Sequence, residues 1–465
     1  MESHDIKRFV DWWKGDAAFR ARFRADAARA VAEYGIRVDP DAVRELCEPA
    51  AGHTGPGEVK PCHAALDSYF RALEAQRAVY DDLDRLESAI GEPGFAAWRQ
   101  RQRRRFASQA PDSWGRQNPH IMFAIELSDG CSIACPFCAG GAGRLKSVSR
   151  FTPANEALFR GLLRRLSTLA ACPAPSGLLY HYTEPLDNPD YEKFLQAYRE
   201  ELGELPQTTT AAWGRRPDRT RRVLAMAREH GGRIQRFSVN SVEDFRSCMR
   251  TFAPEELRDV VIVPHYPEAG GIYYRTGRAR SLAEAVEGSV ACVSGFLVNL
   301  AARTIQLVAP CIEPSAWPGG YRSLAASSFR TDDDLDVFFE RCREEVLDRI
   351  LNDTTPIALR NDLHLSEDAG GTLELRSLYR SYRFEQGLQK AVLRLAGERR
   401  SLGALVDELS VSHPEGEVFA FVQLLWDSGL LADSDVLAAE DVVTAPVLPR
   451  SKLASAAAAH AGALP

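Results

Sequence analysis

The chain has 465 residues, of which 45% are hydrophobic and 26% charged, and its formal net charge at pH 7 is −7. This composition is typical of folded globular proteins and excludes a largely disordered chain or a nucleic-acid-binding protein that depends on bulk positive charge. No apolar run reaches the roughly 18 residues of a membrane span, and no basic segment with an apolar core begins the chain. We therefore expect a cytoplasmic protein, without nucleic-acid or membrane partners, whose ten cysteines are thiols or metal ligands.

Along the chain, helical patterns come first and mixed patterns follow. Residues 1–50 place aromatic side chains at three- and four-residue spacings, which predicts an amphipathic helical segment. Residues 51–117 begin with a Pro- and Gly-rich stretch and predict a helical linker region. In residues 118–350 short apolar runs alternate with helical patterns, which indicates βαβ units and a parallel sheet, hence an α/β fold. In such folds the functional residues lie in the loops that follow the carboxyl ends of the strands.

Within residues 118–350 the strands are predicted near 120–127, 177–182, 207–212, 234–240, 259–263 and 303–309, and the helices near 154–170, 190–202, 217–230 and 241–251. Residues 355–433 predict a compact α+β unit, with strands near 357–360 and 371–375 followed by three helical patterns. Residues 434–465 are rich in Ala, Ser and Pro and predict a disordered tail.

Three cysteines, Cys131, Cys135 and Cys138, lie within eight residues just after the first predicted strand. A four-thiolate zinc site needs a second cysteine pair at a suitable spacing, and none is present. Electron-transfer clusters of the cubane type use four cysteines. Three thiolates instead ligate three irons of one cubane cluster and leave the fourth iron open to the amino and carboxylate groups of a small molecule. A structural zinc or chance spacing is the alternative.

This motif, with an aromatic residue, Phe137, before the third cysteine, resembles the radical S-adenosylmethionine (SAM) superfamily. The resemblance implies a partial (β/α)6 barrel that holds one [4Fe-4S] cluster and SAM. In that superfamily the reduced cluster cleaves SAM to methionine and a 5′-deoxyadenosyl radical, which abstracts a hydrogen atom from the substrate. The resemblance also implies a reducing partner such as a flavodoxin or ferredoxin.

The resemblance also assigns SAM-binding residues. Residues 182–185 follow the second predicted strand, where the superfamily has a Gly-Gly-Glu type motif that binds the SAM amino group. The glycines are absent, so only Glu184 and, less directly, Thr183 are carried over. Further cofactor contacts are implied for Phe137, Thr209, Ser238 and Asn240. Each has a structural alternative: a helix cap for Glu184, Ser238 and Asn240, and plain strand preference for Thr209.

A narrower resemblance rests on residues 129–133 and on residues 183–192. Both look like segments of the radical SAM peptide epimerases that mature ribosomally synthesised peptides of the proteusin type. The resemblance implies a precursor peptide with a leader as the partner. Residues 1–50 are similar to Nif11 or nitrile-hydratase-like leader segments. Residues 355–433 are similar to small winged-helix-like leader-recognition domains, in which a precursor adds a strand to a sheet edge. A helical dimerisation element is the alternative for each end.

Such epimerases convert L- to D-residues by taking the Cα hydrogen and returning a hydrogen atom from a cysteine thiol. Cys311 is the first candidate donor, because it follows the strand predicted at 303–309 and is expected at a carboxyl-terminal strand mouth. Cys292 is second, because its apolar surroundings also suit a buried core thiol. Two single histidines near strand ends, His181 and His265, are predicted to be structural.

Two other functions stay open. One is a radical SAM peptide-modifying enzyme that forms a crosslink, and the other is a non-catalytic leader-binding scaffold with a structural metal. Crosslinking relatives usually carry auxiliary clusters, and no Cys-rich extension follows residue 342. The sequence therefore favours a single cluster and an epimerase.

Overall fold

The computed structural model describes residues 1–44, 46–47, 71, 92–110, 118–170, 177–230, 235–312 and 317–433. Most of the predicted linker 51–117 lies outside these residues, although one helix, Pro93–Gln109, belongs to it. The predicted tail 434–465 also lies outside the described residues.

Thirteen α-helices lie in the described part of the chain, numbered here in order. They are α1 (Ser3–Gly15), α2 (Ala17–Ala25), α3 (Ala27–Glu33), α4 (Pro40–Arg44), α5 (Pro93–Gln109), α6 (Pro153–Ala170), α7 (Tyr191–Leu202), α8 (Pro217–Glu229), α9 (Val242–Thr251), α10 (Asp332–Cys342), α11 (Gly387–Gly397), α12 (Leu402–Leu409) and α13 (Glu415–Asp427). No helix among the described residues combines the length and apolar character that a membrane span requires.

The described strands are also numbered in chain order. They are β1 (Ile121–Glu126), β2 (Ser128–Asp129), β3 (Ser147–Val148), β4 (Gly177–Leu178), β5 (Thr209–Thr210), β6 (Gln235–Val239), β7 (Val260–Pro264), β8 (Val293–Asn299), β9 (Thr304–Pro310), β10 (Tyr321–Ser328), β11 (His364–Glu367), β12 (Leu373–Arg376) and β13 (Ser381–Phe384).

The central sheet consists mainly of parallel strands. One part has the order β10-β9-β8-β1-β4 and the other β5-β6-β7, and a parallel bridge between Leu178 and Gln207 joins them. Strands β8, β1 and β4 are parallel, as are β5, β6 and β7, whereas β9 and β10 run antiparallel to their neighbours. The predicted α/β class with a parallel sheet is therefore confirmed.

The sheet curls strongly around one face. Tyr182 follows β4 and Tyr321 begins β10, and these two strands are four places apart in the sheet. In a flat sheet four places correspond to roughly 19 Å, yet the two rings are 6.1 Å apart. The concave face carries its own apolar cluster: Ile121, Ala124, Leu178, Tyr180, Val293, Leu297 and Val308, with Cys292 and Tyr321 packed against it. This curvature is that of a partial barrel.

Helices α5, α6, α7 and α10 pack on the convex face of the part of the sheet that contains β1, β8, β9 and β10. Helices α1 to α3 pack near the part that contains β6 and β7. The predicted N-terminal helical segment is present and is divided at two aspartates: Asp16 caps α2 and Asp26 caps α3 through their side chains. The aromatic stripe is buried, and the Trp12 ring lies 5.1 Å from the Phe245 ring of α9. Its similarity to leader segments stays a prediction.

The C-terminal residues form a three-stranded antiparallel sheet, β11-β12-β13, followed by α11, α12 and α13 around one core. The strand predicted at 357–360 is wrong: this stretch only forms isolated bridges, of Pro356 with Ser401 and of Leu359 with Leu431. Gln109 of α5 donates to Asp362 at 3.0 Å, which ties this unit to the rest of the chain. The small α+β unit is therefore present, and its winged-helix likeness stays a prediction.

Candidate functional site

The parallel strands bring their following loops to one edge of the sheet. Strands β1, β4, β5, β6, β7 and β8 all run in the same direction, so their carboxyl ends meet there. The side chains that follow these ends include the three motif cysteines, Glu184, Asn240 and His265. The sequence prediction that the chemical residues gather at this edge is thus consistent with the observed topology.

The cysteine loop is held closed at its base. Strands β2 and β3 pair antiparallel and bring together the two ends of the loop that contains the cysteines. The backbone N–H of Ser132 donates to Asp187 at 2.8 Å, and Asn188 donates to the carbonyls of Leu127 and Ser149 at 3.2 and 2.7 Å. The polar residues just after Glu184 therefore fix the cysteine loop in place.

A second contact to the cysteine loop comes from a distant segment that no sequence pattern singles out. The backbone N–H of Arg278 donates to the Cys138 carbonyl at 2.8 Å, and its Nε donates to the Cys135 carbonyl at 2.8 Å. The preceding Gly277 has a positive φ of 52°, and a Cβ there would lie 2.4 Å from the Cys138 carbonyl oxygen. Only glycine permits this approach. Arg278 is separated from the motif by about 140 residues, so no local pattern could reveal it.

The three thiols lie close enough to influence one another. Burial, together with the neighbouring thiols of Cys138 and Cys131, raises the pKa of Cys135 to about 11. None of the three is in a disulfide, and each is partly accessible. Among the described residues no group of three or more His, Cys, Asp or Glu side chains is arranged to hold a metal ion. In an iron–sulfur cluster each thiolate binds a different iron, so the sulfurs need not converge on one ion.

Glu184 is buried, with 4% of its surface exposed. Its carboxyl oxygens accept from the Thr210 hydroxyl at 2.6 Å, the Leu186 N–H at 3.0 Å and the Ala211 N–H at 2.8 Å. Burial raises its pKa to about 7 in spite of these donors. A carboxylate accepts about four hydrogen bonds, so one acceptor position remains for a ligand. Glu184 also has the helix-capping role given as its alternative, because its side chain caps the short 3₁₀ turn Pro185–Asp187.

Asn240 links the β6 end to the cysteine loop. Its Nδ2 donates to the Cys135 sulfur at 3.5 Å, while its buried Oδ1 has no hydrogen-bond partner among the described residues. The alternative that Asn240 or Ser238 caps the following helix is wrong, since Ser241 caps α9. The Ser238 hydroxyl instead meets His265 Nε2 at 3.2 Å. A buried acceptor without a partner beside the thiols fits a site that binds a polar cofactor.

Phe137 lies in an aromatic stack. Its ring is 5.3 Å from His265 and 5.2 Å from Tyr273, with interplanar angles of 26° in both cases. Burial lowers the pKa of His265 to about 4, so this imidazole is neutral. The motif aromatic therefore anchors the cysteine loop to the end of β7.

The two predicted threonines have different partners. Thr183 hydrogen-bonds the buried Glu126 carboxyl at the end of β1, so it remains near the site. Thr209 bonds the Tyr180 hydroxyl on the concave face, whereas its neighbour Thr210 contacts Glu184. Successive strand residues point to opposite faces, so Thr209 and Thr210 contact different groups, and the cofactor contact of Thr209 stays a prediction.

The two candidate donor cysteines differ in orientation. The expectation that Cys311 lies at the carboxyl-terminal mouth is wrong, because β9 runs antiparallel to β8 and ends at the opposite edge. Cys311 is fully buried. Cys292 precedes β8, also near that opposite edge, but its side chain packs against the concave-face cluster. The Tyr182 ring lies 6.1 Å from the ring of Tyr321, which packs against the same cluster as Cys292. It also lies against Gly140 of the cysteine loop, so Tyr182 connects the concave face to that loop.

A cavity of about 410 Å³ lies elsewhere, beside the N-terminal helices and β7. Its lining includes Trp13, Lys14, Arg20, Phe245 and Glu268 and none of the motif cysteines. The hydrogen-bonded cysteine loop is the stronger candidate for chemistry, because it carries three thiols and the cavity lining contains none.

Comparisons with known proteins add one relative. No family model matches the chain. The crystal structure of BtrN in complex with AdoMet and 2-DOIA aligns with a TM-score of 0.30 and 19% identity over 40% of this chain and 71% of that chain, a likeness too low to carry an argument. The uncharacterized protein y4wI of Sinorhizobium fredii is 35% identical over 381 residues, which cover 77% of this chain and 73% of that protein. The chain belongs to the same protein family as y4wI.

Proposed function

We propose that the chain is a radical SAM enzyme in which Cys131, Cys135 and Cys138 hold one [4Fe-4S] cluster. The observation that carries the proposal is the placement of these three thiols beside two buried polar groups, Glu184 and Asn240, that have hydrogen-bonding capacity left. Soft thiolates select iron–sulfur clusters or zinc, and a fourth protein ligand is not among the groups at this loop.

SAM would be held by the residues around the thiols. Glu184 offers a carboxylate to the SAM ammonium, and Asn240 and Ser238 offer polar atoms to its carboxylate and ribose. When bound, the cluster and SAM supply a 5′-deoxyadenosyl radical that takes a hydrogen atom from the substrate. The bonds of Arg278 and Asp187 to the cysteine loop hold the thiols in position for this arrangement.

We further propose that the reaction is epimerisation of residues in a ribosomally made peptide. The Cα–H bond of an L-residue would break, and its hydrogen atom would go to the radical that bound SAM would supply. The S–H bond of Cys292 then breaks, and this hydrogen atom bonds to the opposite face of Cα. The sulfur radical returns to a thiol by taking one electron and one proton, the electron coming from a one-electron carrier such as a flavodoxin or ferredoxin. The orientation of Cys292 toward the concave face favours it over the fully buried Cys311.

The leader of the precursor peptide is proposed to bind the C-terminal unit. Its antiparallel sheet has β11 and β13 as edge strands, and an extended peptide can add a strand to such an edge. Residues 1–44 pack against α9 and β6 through buried aromatic side chains. They therefore occupy a different surface from these edges.

Replacing Glu184 with glutamine is expected to weaken SAM binding roughly tenfold to a hundredfold, because a charge-assisted hydrogen bond contributes about 1.5–3 kcal/mol. The raised pKa of about 7 also makes wild-type affinity depend on pH. Below that pKa the carboxyl is protonated and uncharged, so affinity falls as the pH is lowered from 8 to 6. Calorimetric titration of the anaerobically reconstituted protein with SAM measures both effects.

The matched control is Glu243→Gln, because Glu243 is an exposed carboxylate in the first turn of α9. This variant should bind SAM with wild-type affinity and the same pH dependence. Unchanged affinity and unchanged pH dependence in Glu184→Gln would remove Glu184 from the SAM site.

A further inference from the structure

His181 lies on the wall of the partial barrel and is not used by the chemistry described so far. Its ring is 3.9 Å from the Tyr182 ring and 6.1 Å from the Tyr321 ring. Both ring nitrogens are buried, and neither has a hydrogen-bond partner among the described residues. Buried polar atoms without a partner are rare and costly, so this histidine is not explained by packing alone.

The residues around His181 determine which kind of ligand group could form hydrogen bonds with its two ring nitrogens. Burial lowers the pKa of His181 to about 3, so the imidazole is neutral and offers one N–H donor and one acceptor. Its two ring neighbours are tyrosines, and the phenol of Tyr182 is already engaged as a donor to the Gly319 carbonyl at 3.1 Å. A neutral imidazole between aromatic rings suits an uncharged polar group better than a carboxylate or an ammonium.

The position of His181 in the fold also suits a residue that contacts the substrate. Tyr182, the next residue, lies against the cysteine loop and beside Tyr321, which packs against the same concave-face cluster as Cys292. The close approach of the loop to Tyr182 requires glycine at position 140, where a Cβ would lie 1.8 Å from the phenol ring. His181 therefore lies beside the residue that connects the proposed radical source with the proposed hydrogen donor.

We propose that His181 binds a backbone amide of the substrate next to the residue that reacts. The inference rests on the proposed function and names its substrate class: an internal, uncharged peptide segment rather than a free amino acid or a chain terminus. A peptide amide carries one hydrogen-bond donor and one acceptor. These are the two groups that the acceptor and donor nitrogens of the His181 ring need as partners.

The test uses the anaerobically reconstituted full chain and, as the probe, a proteusin-type precursor peptide made with its leader. His181→Phe keeps an aromatic ring and removes both polar atoms, whereas His181→Asn keeps a donor and an acceptor. We expect His181→Phe to raise the KM for the peptide about tenfold or more, the effect of one lost hydrogen bond to a buried group. Iron content, SAM affinity and peptide-independent 5′-deoxyadenosine formation should stay at wild-type values, and His181→Asn should recover part of the lost affinity.

The control is His230→Phe, because His230 follows the last turn of α8, away from the cysteine loop and from the C-terminal unit; this variant should keep the wild-type KM. A wild-type KM in His181→Phe would overturn the inference while leaving the proposed function intact, and so would equal KM values for His181→Phe and His181→Asn. Loss of the cluster or of SAM binding in both His181 variants would show a structural role and also overturn it. A wild-type chain that cleaves SAM but does not change the peptide would contradict the epimerase proposal itself.

Discussion

Replacing Cys131, Cys135 and Cys138 together with alanine is expected to reduce iron after anaerobic reconstitution from about four per chain to background. SAM cleavage should fall to the uncatalysed level, because no thiolate remains to hold the cluster. The fold should persist, since these residues are partly exposed in a loop that is also closed by β2 and β3. Iron and sulfide analysis, visible absorption and chromatography of 5′-deoxyadenosine measure the outcome.

Cys47→Ala is the control for this triple variant, because Cys47 is also a partly exposed thiol but lies just after α4, far along the chain from the loop. It should keep both iron and SAM cleavage. An iron–sulfur chromophore of wild-type intensity in the triple variant would show that the cluster has other ligands.

Cys292→Ala is expected to abolish the formation of D-residues while SAM cleavage continues. Without the thiol, the Cα radical has no hydrogen-atom donor on the opposite face, so product formation should fall at least a hundredfold. In deuterated water the wild type should place one deuterium on each inverted Cα, because a thiol exchanges its proton with solvent. Mass spectrometry of the hydrolysed peptide, after separation of D- and L-residues, measures both quantities.

Cys311→Ala is the matched control, because it removes a thiol from the same edge of the sheet but from a fully buried position. It should still form labelled D-residues. The reverse pattern, with Cys311→Ala inactive and Cys292→Ala active, would return the donor role to Cys311 in spite of its position. Unlabelled product from the wild type would contradict a thiol donor altogether.

Local sequence patterns predicted the parts of the site that are contiguous in the chain. The cysteine loop and the segment with Glu184 could be selected because each proposed role falls on residues within a few positions of one predicted strand end. Residues after Glu184 that matched the same pattern, Asp187 and Asn188, fix the cysteine loop by hydrogen bonds. Their role could not be read from the sequence, because it depends on contacts across about 55 residues.

The main feature that could not be predicted from the sequence was the direction of a strand relative to its neighbours in the sheet. The apolar run before Cys311 was correctly predicted as a strand, and β9 confirms it. An apolar run looks the same whether its strand runs parallel or antiparallel to the neighbouring strands. The sequence alone therefore could not show at which edge of the sheet this strand ends. Strand β8 was missed because Ser294 and Gly295 interrupt its apolar pattern. With β8 recognised, the tight turn to β9 would have indicated an antiparallel pair.

Long-range contacts explain the remaining omissions. Arg278 and Tyr182 meet the cysteine loop only because the sheet curls and the segment after β7 returns across it. His181 was predicted to be structural because single histidines usually are, yet its nitrogens have no partner among the described residues. Such a discrepancy appears only when side chains are placed in three dimensions.

Electron paramagnetic resonance of the anaerobically reconstituted, dithionite-reduced wild-type chain, recorded with and without SAM, tests whether the three cysteines hold a cluster with an open iron. We predict the signal of a reduced [4Fe-4S] cluster whose g values shift when SAM is added, because SAM binds the iron that the three cysteines leave open. The Cys131, Cys135 and Cys138 triple variant should give no such signal. A reduced wild-type chain without a cluster signal, or with a signal that SAM does not change, would show that these cysteines do not form a radical SAM site.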